Sequence, residues 1–218
     1  LYRSQWNKKD ETLHILPHWN WEGREGETTP VFVYTSYPCA ELFVNGVSQG
    51  KRTFAEPDGQ TPCLGEKAMK RFRLMWDEVT YQPGELKVVA YDDEGQPVDE
   101  KTIHTAGKAA AIKLTPDRKI IKADGEDLCF INVSLTDKYG NPVPCDSRLV
   151  KVKVSGAGSF KAIANGDPTC LESFQQPQMH LFSGQLTVIV QSSTEPGDII
   201  VEVSGKGVRK ASATLKTE

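Results

Sequence analysis

The fourteen residues from His14 to Glu27, HILPHWNWEGREGE, hold two histidines, two tryptophans, an asparagine, a proline and two glycines. Imidazoles can ligate a metal, and indoles can stack on the apolar face of a sugar ring. His14 and His18 are four apart, a spacing that serves a metal only on a helix. Pro17 lies between them, removes a backbone donor and clashes with the preceding turn. No third ligand follows, so no metal is assigned. Trp19 and Trp21 flank Asn20, and in an extended chain they share one face while His18 and Asn20 point the other way. The stretch therefore reads as an aromatic ledge backed by polar groups, with His18, Trp19, Asn20 and Trp21 as candidate sugar-contact or domain-interface residues. Packing against the scaffold or a neighbouring domain uses the same large apolar faces, and it is the commoner fate of tryptophan.

Other chemistries find little support. Glycoside hydrolysis needs a positioned pair of carboxylates, but acidic residues here gather in turns such as Asp92-Asp93-Glu94 or on strand faces, where solvation explains them. There is no phosphate-cradling glycine loop. The five cysteines (39, 63, 129, 145 and 170) are scattered singly, without a Cys-x-x-Cys pair. Cys129 alternates in phase with Ile131, Val133 and Leu135 and reads as a small core residue. Free thiols are expected throughout, although Cys39 and Cys63 would bridge if their strands met. Asn132-Val133-Ser134 satisfies a glycosylation sequon inside an expected strand, which makes it a chance match. No cofactor is implied.

Net charge is −3 over 218 residues, with Lys and Arg dispersed among Asp and Glu. No basic stripe exists to neutralise phosphates, so nucleic-acid binding lacks its electrostatic footprint. No apolar run is long enough to span a bilayer. The chain opens on Leu1-Tyr2-Arg3-Ser4 without a methionine or a leader, and reads as a piece of a longer polypeptide.

The elements around the ledge are strands. Residues 1–13 look irregular, with Tyr2 and Trp6 set to touch a neighbour. Pro30 to Tyr34 and Ala40 to Val44 are short strands. Asn45-Gly46 then closes a two-residue hairpin onto Val47 to Phe54, because both turn positions call for positive φ. Ala55 to Glu66 is a loop, and Lys70 to Trp76 an alternating strand. Strands from Leu86 and Val98 close the first unit, and Gly107 to Ala111 reads as a joint. Strands follow at Ile112–Leu114, Leu128–Thr136, Val150–Val154, Leu186–Val190, Ile199–Val203 and Ala211–Leu215. YQPGELKVVAY at 81–91 is echoed by STEPGDIIVEV at 193–203, so both halves finish with the same hairpin. No helical period is evident. The expected fold is all-β: two tandem immunoglobulin-like β-sandwich domains, residues 1–107 with the irregular aromatic N-terminal segment, and residues 108–218.

LHILPHWNWEGREGE followed by PVFVYTSYPCAELFVNGVSQGK resembles the region just after the catalytic barrel of bacterial glycoside hydrolase family 2 enzymes of the β-galactosidase type. Tyr2-Arg3-Ser4-Gln5-Trp6 is similar to the segment leading out of that barrel. Asp124 to Leu128, Asn165-Gly166-Asp167-Pro168 and Val188 to Ser192 resemble the C-terminal immunoglobulin-like domain of the same enzymes. The resemblance implies a parent that is an exo-acting, retaining β-galactosidase or related glycosidase, with two glutamates on a (β/α)8 domain upstream in the same polypeptide. No residue here matches those glutamates, so the chain alone is expected to be inactive. The same analogy implies a bacterial parent exported to the periplasm or cell surface.

Three readings follow. Accessory sandwich domains of a glycosidase would support the barrel and border its substrate site. An independent carbohydrate-binding module would bind sugar through Trp19 and Trp21. An adhesin-type stalk would predict further sandwiches upstream and leaves PHWNW without a use.

Overall fold

The computed structural model describes residues 1–55 and 69–218, and the Ala55–Glu66 loop and Cys63 expectations fall largely or wholly outside them. The chain folds as two compact all-β units, Leu1–Thr105 and Ala106–Glu218.

The first unit opens with one helical turn, α1 (Tyr2–Trp6), where an irregular segment was expected. Five residues are too few to show a helical period in sequence. Among the described residues the strands that follow are β1 (Leu13–Leu16), β2 (Val31–Thr35), β3 (Cys39–Val44), β4 (Val47–Thr53), β5 (Leu74–Trp76), β6 (Glu85–Tyr91) and β7 (Pro97–His104). They form an antiparallel sheet β1-β2-β5 and a second sheet β4-β3-β6-β7. Ile15, Val33 and Leu74 lie in cross-strand register on the inner face of the first sheet. Leu42, Leu86 and Val88 come from the second, and both sets join one buried cluster. Asn45 (φ 48°) and Gly46 (φ 80°) adopt the expected positive dihedrals of the β3–β4 hairpin. The edge strand β4 is largely exposed and carries Lys51 and Arg52, charges that discourage edge-to-edge pairing.

The expected strand from Lys70 is shorter than its alternation suggests. Phe72 and Arg73 donate backbone N–H groups to Met69 O at 3.0 and 3.1 Å, so residues 69–73 turn and pairing begins only at Leu74. Phe72 is left 40% exposed as a result.

The second unit contains β8 (Ala111–Pro116), β9 (Ile120–Ile121), β10 (Leu128–Thr136), β11 (Leu149–Gly156), β12 (Gly158–Ala164), β13 (Gln178–His180), β14 (Gln185–Ser192), β15 (Gly197–Gly205) and β16 (Ala211–Thr217). One sheet runs β12-β14-β10-β8 and the other β13-β11-β15-β16-β9. Leaving aside the short β9 and β13, this is the immunoglobulin constant-type order, in which first, second, fifth and fourth strands share a sheet and third, sixth and seventh share the other. The repeat seen in sequence corresponds to two final hairpins, β6–β7 and β15–β16. Strand β12 has no strong alternating signature. Small residues and a register shift between Phe160 and Ala162 weaken its pattern.

Cys129 is fully buried on β10, and its thiol donates to Asp117 Oδ1 at 3.2 Å. Burial first, and the adjacent carboxylate second, push that thiol up to about 11, so it stays protonated and inert. Cys39 and Cys170 are also free thiols. Asn132 of the sequon lies inside β10, as the pattern of that strand predicted.

The turn after β10 is organised by Asp137, which is 4% exposed. Its carboxylate accepts from the N–H groups of Gly107, Tyr139 and Asn141 and from the Asn141 amide. Burial by itself would raise its pKa, but these donors outweigh it and hold the carboxyl below its ordinary range. A depressed folded-state pKa contributes stability that is complete above the unfolded value, near pH 4, and is lost as pH falls through the folded value. Asp137→Asn is expected to cost the second unit about 1–3 kcal/mol at pH 7 and to flatten its acid-side loss of stability. Urea unfolding between pH 7 and 3 measures both, and an acid limb unchanged in the variant would remove Asp137 from this role.

Candidate functional site

The aromatic segment leaves β1 through a cis Leu16–Pro17 peptide bond and then bends. Asn20 N donates to His18 Nδ1 at 3.2 Å, a contact across two residues that an extended chain cannot make. That bend overturns the expectation that Trp19 and Trp21 share a face. Trp19 turns inward and is 1% exposed. Its Nε1–H donates to Gln82 O at 2.9 Å, and its ring meets Tyr81 edge-on with centroids 5.0 Å apart. Thr105 Oγ1 donates to Trp19 O at 2.5 Å, which ties this segment to the end of the unit. Trp19 therefore offers no face to a ligand, and the ledge as expected does not exist.

Trp21 stays half-buried and pairs with His18, the residue expected to point away from it. Their rings stack with centroids 4.3 Å apart and planes at 27°. Because His18 Nδ1 accepts from Asn20 N, its proton sits on Nε2, and partial burial lowers its pKa, so the ring is neutral at pH 7. The Arg24 guanidinium lies 5.3 Å from the Trp21 ring centre and is held by Glu27, at 2.7 Å from Arg24 Nε. Asn20 is half-buried between these rings in sequence but lies on neither stack.

Beside Trp21 lies an open, mainly apolar concavity of about 410 Å³ lined by Leu16, Pro17, Arg24, Thr29, Pro30 and Phe32. Of the four candidates, the structure brings together His18 and Trp21, takes Trp19 into the core, and ties Asn20 to His18 through its backbone N–H. The sequence reading missed Phe32. Its signal was present in VFVYT, where Phe32 and Tyr34 alternate with the buried Val31, Val33 and Thr35 and must face outward. His14 also faces outward on β1, beside Tyr34. Burial, then the nearby Lys101, lower its pKa. Among the described residues no group of three His, Cys, Asp or Glu side chains is placed to hold a metal, and no helix is long and apolar enough to cross a membrane.

Residues 112–214 match the family model for glycoside hydrolase family 2 C-terminal domain 5. The chain is a glycoside hydrolase family 2 C-terminal region. Residues 26–99, which include β2 and part of the Trp21 concavity, match a domain of unknown function. A β-galactosidase of Bacteroides ovatus is 36% identical over all of this chain and 24% of its own length. A β-glucuronidase of Formosa agariphila is 25% identical over 99% of the chain and 20% of its own. The chain thus spans about a quarter or less of the curated relatives it matches. A β-glycosidase structure from Bacteroides vulgatus superposes with a TM-score of 0.84 at 30% identity, covering 99% of this chain and 26% of that one. A glycosyl hydrolase family 2 member from Bacteroides cellulosilyticus gives 0.80 at 32%, with 98% and 30% covered.

Proposed function

We propose that this family 2 C-terminal region is the non-catalytic part of a β-galactosidase-type glycoside hydrolase, and that the hydrolytic glutamates lie on a catalytic domain elsewhere in the same polypeptide. The observation that carries this reading is the match of the whole chain to a β-galactosidase of which it represents 24%. The galactosidase is favoured over the glucuronidases because its identity, 36%, exceeds their 25–27%. The arrangement around Trp21 supports a structural role over an independent sugar module. One tryptophan is in the core, and the other already has His18 and Arg24 against its ring. Export of the parent from a bacterial cytoplasm is part of the same proposal and rests on resemblance alone.

The test compares the full-length parent with this chain at equal molarity on chromogenic β-galactosides and β-glucuronides. Turnover by the parent on the galactoside, with none by the chain, is the expected result. Hydrolysis by the chain alone, or a parent inert towards every β-glycoside tried, overturns it.

A further inference from the structure

The outer face of the sheet β1-β2-β5 is not what a solvated sandwich face should be. Leu16, Phe32 and Met75 lie directly across from one another in register, on the side opposite the core row Ile15, Val33 and Leu74. An antiparallel sheet with one wet face normally alternates apolar inside with polar outside. Here the outer row is apolar: Met75 is buried at its β5 end, Phe32 is half-buried, Leu16 is 40% exposed at its β1 end, and the Trp21 concavity opens beside it.

A second concavity of about 340 Å³ continues along the same face, where Leu1 and Arg3 meet His14 and Tyr34. The amino-terminal turn is thus laid on this sheet. Gln5 Nε2 donates to Phe72 O at 3.4 Å, which helps hold α1 there. Tyr2 and Trp6 remain 67% and 74% exposed, their rings 4.8 Å apart. Arginine borders the surface as well, with Arg73 set over the Phe32 ring at 4.1 Å and bonded to Tyr34 Oη at 3.2 Å. Tryptophan, tyrosine and arginine are the residues enriched where protein interfaces concentrate their binding energy.

We infer that the outer face of β1-β2-β5, together with α1, is the docking surface for the domain that precedes this unit in the parent polypeptide. This deepens the proposed function and rests on it. Two observations choose this occupant. The relatives are about four to five times as long as the matched region, the chain being 24% and 20% of two of them. The polypeptide also enters the unit on this face, so a preceding domain is tethered beside the apolar row at high effective concentration.

Carbene footprinting of the full-length parent tests the inference, with Val47, 65% exposed on β4, as the internal reference. Labelling of Trp6, Leu16 and Phe32 is expected to fall at least about tenfold below that reference, because an interface core excludes water and probe. Phe32→Glu, which leaves the inner face untouched, is expected to restore labelling at Leu16 and Trp6. Labelling of the three residues at the reference level overturns the inference. So does protection that fades on dilution, which would identify a second copy, or protection that appears only with added galactose, which would identify a sugar. The two proposals fail separately. An active parent with an unprotected face removes the docking surface alone, whereas a protected face in an inert parent removes the glycosidase assignment.

Discussion

Trp19→Ala is expected to destabilise the first unit by about 3–5 kcal/mol, against a total of about 5–15 kcal/mol for a domain of this size. The indole is 1% exposed and packs edge-on against Tyr81. Its removal opens a cavity that the two sheets cannot close, and it leaves Gln82 O without the 2.9 Å bond from Nε1. Trp21→Ala, two residues on, should cost clearly less, about 1–2 kcal/mol, because that ring is only partly buried and loses its stack on His18, the Arg24 contact and the edge of its packing on the core. Denaturant midpoints of the two variants measure the contrast. Equal effects would mean that the inward and outward assignments of the two tryptophans are mistaken.

Gly156→Ala should be among the most damaging single-methyl changes in the second unit, at about 3 kcal/mol or more. Gly156 ends β11 with φ at 92°, a conformation that L side chains rarely adopt. An added Cβ would also run into the carbonyl oxygen of Asp198, which cannot swing aside as a side chain would. That carbonyl accepts from Ala157 N at 2.9 Å and fixes the passage of the chain from one sheet to the other before β12. Relief of the clash therefore breaks a crossover and does not merely shift a loop. A midpoint loss with an unchanged denaturant slope is the expected signature. A variant as stable as the parent would show that the crossover can adjust.

The two substitutions mark where local pattern stops being informative. Alternation over VFVYT, LCFINVSLT and DIIVEV specified strands, their buried faces and the all-β class, because a side-chain period of two is a local property of extended backbone. The Asn45-Gly46 turn was equally local, since its dihedrals follow from the two residues that occupy it. The matched YQPGELKVVAY and STEPGDIIVEV segments announced the final hairpin of each unit.

The aromatic segment obeyed no such rule. Its assumed extended geometry placed Trp19 with Trp21, but the bend closed by Asn20 N and His18 Nδ1 separates them and stacks His18 on Trp21. The decision was made by Tyr81, Gln82 and Thr105, between 60 and 90 residues away, which supply the walls and hydrogen bonds for a buried indole. The outer row Leu16, Phe32 and Met75 has the same character. Each residue is readable as strand, but only sheet pairing places all three side by side on the face opposite the core row. Residue types and their spacing determined the strands, the turns and the resemblance to family 2. Cross-strand register and long-range packing decided which aromatic residues are scaffold and which are left to meet a partner.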